Sequence, residues 1–445
     1  MTNPGHNRPR RRGTCPGVLA PMQVGDGLLL RIRVPAGVLP ADHARQIAGL
    51  GDRYGNGLID LSQRGNLQLR GISTDRLEPV TEALRGMGYV SGDAAGEAVR
   101  NVLCSPTAGL DPAASIDVRG VARTLDARLA ADAGLHRLPP KFGWLVCGGG
   151  IGHLADSSTD VRFDAVDGER FRVSLGGTLT TAAPLGLCRA EDVTDVASAL
   201  GRAFLERRAS LPEPPRRMAG LVAAIGTDPF VTRLSSLISP LPPGERIKVR
   251  GTHLMDLFGS AEPPHPNLLP GGEKEQAPAL VTAFPFGRLT AATFAALASA
   301  CTEIRITPWR ALILVSPSGD AEQTARAHGA ILSHTDRRLK LTACSGAGSC
   351  DVGTTDTHAT ALAIADRAGP LLDHVRMVHV SGCAKGCAHP AIADVTLTAR
   401  DGLYDVALNA KPGDATRLMQ GHTGLSPADA VASVADLLTE ESTGA

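Results

Sequence analysis

The sequence predicts a duplicated chain of mixed α/β (α+β) class. Three features carry that expectation: an internal repeat, alternating strand and helix patterns, and paired Asp-Gly turns. The stretch "VPAGVLPADHARQIAGLGDRYGNGLIDLSQRGNLQLRGIS" (34–73) parallels "FPFGRLTAATFAALASACTEIRITPWRALILVSPS" (284–318), each reading as a Pro-x-Gly turn, a helix, a loop and a strand. Next, "NVLCSPTAGLD" (101–111) parallels "LTACSGAGSCD" (341–351), with Cys104 opposite Cys344. Helical patterns follow both, "AASIDVRGVARTLDARLA" and "THATALAIADRAG". Finally, "CGGGIGHLADSSTDVRFDAVDGERFRVSL" parallels "GCAKGCAHPAIADVTLTARDGLYDVALN". Asp160 is spaced from Asp167 as Asp394 is from Asp401, and each Asp-Gly predicts a hairpin between alternating strands. The Pro- and Arg-rich "LPEPPRRMAG" (211–220) joins the halves.

Length and charge narrow the function classes. A chain of 445 residues can bury two or three cores of about 100–200 residues each. Its 45 basic and 45 acidic residues cancel, whereas a general nucleic-acid binder needs surplus cations for the phosphate backbone, so no nucleic-acid partner is expected. No apolar run approaches the roughly 20 residues that span a bilayer, so no membrane partner is expected either. The N-terminal "RPRRR" has no apolar stretch behind it; it reads as a solvated tail and the chain as cytoplasmic. The segment "GSAEPPHPNLLPGGEKEQAP" (259–278) reads as a flexible surface insertion without chemistry.

Four of the nine cysteines sit in two glycine-rich loops of the second half, Cys344 and Cys350 as C-x5-C, Cys383 and Cys387 as C-x3-C. An odd total in a reducing compartment disfavours a disulfide framework. Small residues between the thiols let backbone N–H groups reach sulfur, which suits an iron–sulfur cluster. Zinc is the alternative: its paired cysteines usually stand two to four residues apart, which C-x3-C meets and C-x5-C does not. Cys15, Cys188 and Cys301 read as packing or loop thiols. The "WLVCGGGIGHLA" stretch contains G-x-G-x-x-A, but a dinucleotide loop must open a helix and a hairpin is predicted next, so no nucleotide site is assigned.

The first half offers cations at strand spacing. In "RGNLQLRG", Leu67 and Leu69 alternate with Arg64, Asn66, Gln68 and Arg70. In "LLLRIRV", Leu28, Leu30, Ile32 and Val34 alternate with Arg31 and Arg33. A strand puts such alternating residues on one face. The face is either an ordinary solvated surface or a cradle for a planar polyanion, since arginine grips a carboxylate through two parallel N–H bonds.

The duplicated architecture, the C-x5-C and C-x3-C loops, "QRGNLQLRGI", "RNVLC" and "LPPKF" together resemble the sirohaem-dependent sulfite and nitrite reductase superfamily over residues 15–435. The resemblance implies a duplicated nitrite/sulfite reductase-like fold, with pseudo-two-fold ferredoxin-like half-domains and two larger α/β domains. The boundaries expected are a first half-domain at 15–85, a first reductase-like domain at 95–210, a linker at 211–240, a second half-domain at 241–335 and a cluster-bearing domain at 336–435. A [4Fe–4S] cluster is implied on Cys344, Cys350, Cys383 and Cys387, the last also bridging to the macrocycle iron in sirohaem members. In the reductases, residues matching Arg64, Arg100 and Lys141 surround the substrate anion or the sirohaem carboxylates, so these three are the expected catalytic residues. The expected substrate-binding set is Arg31, Arg33, Arg64, Asn66, Gln68, Arg70, Arg100 and Lys141.

Two departures select a branch. The reductases carry a second lysine two positions after the one matching Lys141; here that residue is Gly143. Their usual Asn between the last two cysteines is Lys385. The pattern is similar to the oxygen-using branch, which hydroxylates precorrin-3A at C20 and closes a lactone in cobalamin biosynthesis. That branch implies precorrin-3A and O2 as substrates, a second, mononuclear iron, and an external electron donor, either a separate reductase or a small electron carrier. His389 and His153, near the two glycine loops, are candidate ligands of the second iron. The alternatives are a sirohaem [4Fe–4S] reductase of sulfite or nitrite, and a non-catalytic metal-binding protein that handles tetrapyrroles.

Overall fold

The computed structural model describes residues 16–242 and 279–443. Cys15, the "RPRRR" run and the 259–278 insertion lie outside them. Both Pro-x-Gly turns form, at Pro35–Gly37 and Pro285–Gly287, and each holds its middle residue in the left-handed region, Ala36 at φ 57° and Phe286 at φ 60°. The chain leaves each turn as a short strand followed by a helix, Ala41–Tyr54 in the first half and Ala291–Ser299 in the second. In the first helix Ala41, Ala44, Ile47, Ala48 and Gly51 are buried, the spacing of one helical face. Thr290 caps the second by accepting from the Thr293 N–H.

The first half carries β1 (Met22–Val24), β2 (Gly27–Ile32), β3 (Val38–Pro40), β4 (Leu58–Leu61) and β5 (Leu67–Ile72), then β6 (Val102–Cys104), β7 (Trp144–Cys147), β8 (Thr159–Ala165), β9 (Arg170–Gly177) and β10 (Ala183–Arg189). The second carries β11 (Ala279–Ala283), β12 (Arg288–Thr290), β13 (Glu303–Ile306) and β14 (Ala311–Val315), then β15 (Leu341–Ala343), β16 (Val378–Ser381), β17 (Ala393–Arg400) and β18 (Leu403–Ala410). The half-domain sheets exchange strands. β12 of the second half joins the first sheet, in the order β1-β2-β5-β4-β12, and β3 of the first joins the second, β11-β14-β13-β3. Their side chains share one core, in which Ile32, Ile47, Ile59 and Leu67 cluster with Phe294, Leu297, Ile304 and Leu312.

The larger domains repeat one topology. β6, β7 and β8 are parallel and β9 returns antiparallel; β15, β16, β17 and β18 do the same. The hairpins fall at Asp167-Gly168 and Asp401-Gly402, the latter with both residues at positive φ. The glycine loop after β7 leads into strand β8, not into a helix, so the G-x-G-x-x-A run has no helix N-terminus to offer a pyrophosphate.

The 211–240 stretch does more than connect. It forms helices Met218–Ile225 and Asp228–Arg233, whose Met218, Leu221 and Phe230 enter the first domain's core together with Leu234. The apolar residues behind "PEPPRR" stand three to four apart, and burying them outweighs the Pro-rich start that suggested a free linker. Among the described residues no helix is long and apolar enough to cross a membrane.

Candidate functional site

The four loop cysteines gather at the C-terminal ends of two parallel strands. Cys344 follows β15 directly, and Cys383 follows β16 after Gly382. The Gly382 N–H donates to the Cys344 Sγ at 3.1 Å, and a Cβ at Gly382 would lie 3.3 Å from that sulfur and from the Gly353 Cα. A side chain there would have to push one of these loops back by a few tenths of an ångström. The Thr357 hydroxyl donates to the Cys344 carbonyl at 2.6 Å and the Ser381 hydroxyl to the Cys383 carbonyl at 2.7 Å, fixing both loops. Burial pushes the Cys387 thiol up, and Cys383, Cys344 and Cys350 push it further, so the four sulfurs share one locality.

Among the described residues, no three of these thiols lie within 4.8 Å of one another. A tetrahedral zinc site needs sulfurs about 3.8 Å apart, from Zn–S bonds of about 2.3 Å. The backbone N–H on the Cys344 sulfur is the kind of donor that iron–sulfur cluster ligands receive.

The first-half arginines divide. Arg31, Gln68, Asp60 and Arg288 form one cross-strand row over β2, β5, β4 and β12, so the polar face exists. It is largely neutralised from within. Arg70 donates to Asp26 at 2.9 and 3.0 Å, to Asp60 at 3.1 Å and to the Ser349 carbonyl at 2.8 Å. It therefore braces the sheet against the loop that carries Cys350 and is not turned toward a ligand. Arg33 is buried beside Glu97 and Asn101, and Arg100 is held by Asp126 and Ser91. The expected carboxylate clamp is thus corrected for Arg33, Arg70 and Arg100. Each is committed to an acid of its own chain, because a cation buried in these interiors must be paired. Asn66 is buried in the turn it closes with Ser62, and Gln68 accepts from Arg31 at 3.3 Å.

Arg64 is placed differently. It lines a cavity of about 1140 Å³ between the halves, and its guanidinium donates to the Lys141 carbonyl at 3.3 Å. The volume exceeds the roughly 300–1,000 Å³ of common ligand pockets, so the cavity suits a large ligand. Asn101, Gly143 and Thr159 stand on one wall; Phe286, Trp309 and Met377 give apolar surface on another. His389, two residues past Cys387, and Thr342, two before Cys344, bring the cavity to the cysteine loops. Lys141 is exposed beside Arg64. A Cβ at Gly143 would meet the Thr159 hydroxyl at 3.1 Å, so any side chain there would have to displace it.

Sequence reasoning missed most of the cavity's cations: Arg217, Arg310, Arg338, Lys340 and Arg376. Arg217, Arg338 and Arg376 lean on Asp160, Asp336 and Asp394. Arg310 does not: among the described residues no hydrogen bond reaches it, and burial pushes it below its usual range against the pull of Asp60. A signal for it existed. "TPWR" (307–310) occupies the β13–β14 turn, and "SQRGN" (62–66), which holds Arg64, occupies the corresponding β4–β5 turn of the repeat. Replacing Arg64 or Arg310 by Ala should weaken binding of a polycarboxylate ligand by about 1.5–3 kcal/mol each, the value of a charge-assisted bond. Titration by fluorescence quenching tests this, and the visible spectrum of the cluster should not change. Unaltered affinity in both variants would assign the cavity's cations to solvent.

The fold is nitrite/sulfite reductase-like, and two stretches of the chain match models of that class. Residues 20–87 match the nitrite/sulfite reductase ferredoxin-like half domain, and residues 95–238 the nitrite and sulphite reductase 4Fe-4S domain. Among its relatives is a precorrin-3B synthase of Sinorhizobium sp, 29% identical over 90% of this chain and 83% of that protein. A ferredoxin–nitrite reductase of Synechococcus elongatus is 26% identical over 93% of this chain and 86% of that protein. The structure of the Mycobacterium tuberculosis NirA protein superposes with a TM-score of 0.66 at 19% identity, covering 92% of this chain and 79% of that one, which shows the common fold.

Proposed function

We propose that the chain is an oxygenase that hydroxylates precorrin-3A at C20 and closes a lactone with the ring A acetate. The observation that carries this reading is the large cavity between the halves, cationic on several sides and apolar on others, which reaches the cysteine loops. Precorrin-3A is a flat, metal-free macrocycle fringed with carboxylates. Phe286, Trp309 and Met377 suit its faces; Arg64, Arg310, Arg217, Arg338, Lys340 and, at the rim, Arg376 suit its carboxylates. Lys141, beside Arg64, is assigned the role of a cation near the reacting edge. With Gly143 two positions after it, Lys141 has no lysine at that spacing to help hold a small oxyanion such as nitrite.

A [4Fe–4S] cluster held by Cys344, Cys350, Cys383 and Cys387 supplies one-electron chemistry, which ground-state O2 requires. The chain's own residues hold the macrocycle and exclude water from its edge. The balance is one oxygen atom into the substrate and one released as water, with two electrons and two protons from outside. A separate reductase or small electron carrier provides the electrons. Sirohaem is a macrocycle of similar size with the same kind of carboxylate fringe, so the reductase reading is the one to exclude.

Purified protein, given precorrin-3A, ¹⁸O2 and a reducing system, should yield a product heavier by one labelled oxygen atom in mass spectrometry. With sirohaem and a strong artificial donor it should reduce nitrite and sulfite only slowly. Rapid reduction of either oxyanion, with no label in the tetrapyrrole, would replace this reading by the reductase.

A further inference from the structure

The repeat aligns the two glycine loops residue for residue. Asp160 and Asp394 stand 234 positions apart, as do Cys147 and Ser381, and His153 and Cys387. His153 thus occupies, in the first half, the place of the last cysteine of the second. The sheets agree: Cys147 of β7 pairs with Asp164 of β8 in the register in which Ser381 of β16 pairs with Thr398 of β17.

Around that position the first half builds a donor set of its own. The Cys147 Sγ, a ring nitrogen of His153 and a carboxylate oxygen of Asp164 all lie within 4.8 Å of one another, and all three residues are fully buried. Neither ring nitrogen of His153 has a hydrogen-bond partner. A buried imidazole left bare costs about 1–3 kcal/mol, a cost that a metal bond removes. The other two donors are already oriented. Arg162 grips Asp164 through two N–H bonds of 2.6 and 2.8 Å, leaving lone pairs free on the carboxylate. The Leu154 and Gly149 N–H groups and the Ser105 hydroxyl face the Cys147 sulfur, as the Gly382 N–H faces Cys344. Such outer partners are what metal ligands usually have.

We propose that Cys147, His153 and Asp164 bind a single divalent transition-metal ion of the ferrous or zinc class. Thiolate, imidazole and carboxylate together suit a borderline ion and not calcium or magnesium. Two negative ligands offset its charge. The ion lies one residue layer behind the cavity, since Leu103 and Trp309 line the cavity and pack against Leu145, Cys147 and Leu154. It answers the expectation of a second metal with ligands drawn from this chain. Of the two candidate histidines, His389 instead stacks edge-on against His379 and lines the cavity. The site does not depend on which substrate the cavity takes.

The test compares metal content with labile sulfide in the purified full-length protein, and adds cobalt as a spectroscopic probe. The wild type should hold about one iron or zinc per chain beyond the number matched by sulfide. Protein produced with cobalt in the growth medium should show a near-ultraviolet thiolate-to-cobalt charge-transfer band. His153→Ala and Cys147→Ala should each lose the extra ion and the band at least tenfold while keeping the broad visible absorption of the cluster. Wild-type protein with no extra metal and no such band overturns the site and leaves the three groups as packing. The same holds if both variants keep a full extra equivalent. Should the variants fail to fold, the wild-type excess of metal over sulfide decides, because cobalt can also occupy the four loop thiols.

Discussion

Replacing Cys383 by Ser should remove the broad visible absorption and the catalytic activity together. Four thiolates converge at the ends of β15 and β16, and a serine hydroxyl is a hard, poorly ionised ligand for iron. Iron and labile sulfide should fall with the spectrum, and Cys350→Ser should behave alike. Cys188→Ser and Cys301→Ser should keep the cluster. Cys188 is buried in the first domain's core, and the Cys301 thiol, just past the Ala291–Ser299 helix, donates to the Leu297 carbonyl inside it. A Cys383→Ser protein with full iron and sulfide would overturn the cluster assignment.

Asp60→Asn should destabilise the fold by about 3 kcal/mol, the lower end for breaking a buried ion pair, because Asp26 still holds Arg70. Asp60 joins three elements. It accepts from Arg288 of the second half at 2.6 and 3.1 Å and from Arg70 at 3.1 Å, and Arg70 reaches the Ser349 carbonyl beside Cys350. Burial opposes its ionisation, but Arg288 and Arg70 overcome this and hold the carboxyl below its ordinary 3.8. Its contribution is therefore complete above that pH and is lost as pH falls through the lower folded value. The variant should unfold at lower urea and lose its cluster faster on standing. Its stability should also fall less steeply than that of the wild type in that acidic window. An unchanged urea midpoint would show that the strand exchange holds without this carboxylate.

The sequence by itself determined the elements whose causes are local. The Pro-x-Gly turns, the Asp-Gly hairpins and the four-cysteine loops follow from backbone freedom and from residue types a few positions apart. The duplication was legible because both halves keep the same order of such signals. The cysteines could be grouped without a structure, since two short glycine-rich loops have little else to do with four thiols. The helices at 218–233 were less legible, because a Pro-rich start masked the apolar spacing behind it.

Only the tertiary structure decided which partner each strand and each arginine takes. The sequence pattern runs from each Pro-x-Gly turn straight into a helix, and nothing in the residues of β3 and β12 says that each forms a short strand paired in the opposite half. A strand's edge N–H and C=O groups accept any neighbour, and the choice is made by the shared core beneath them. The same holds for charge. Alternation predicted a cationic face around Arg64 and Arg70. Whether such a cation meets a ligand depends on acids far away in sequence: Asp26 and Asp60 for Arg70, Asp126 for Arg100, Glu97 for Arg33. Electrostatics acts through space and is strongest where water is excluded, so a cation's role is fixed by folding and not by its place along the chain.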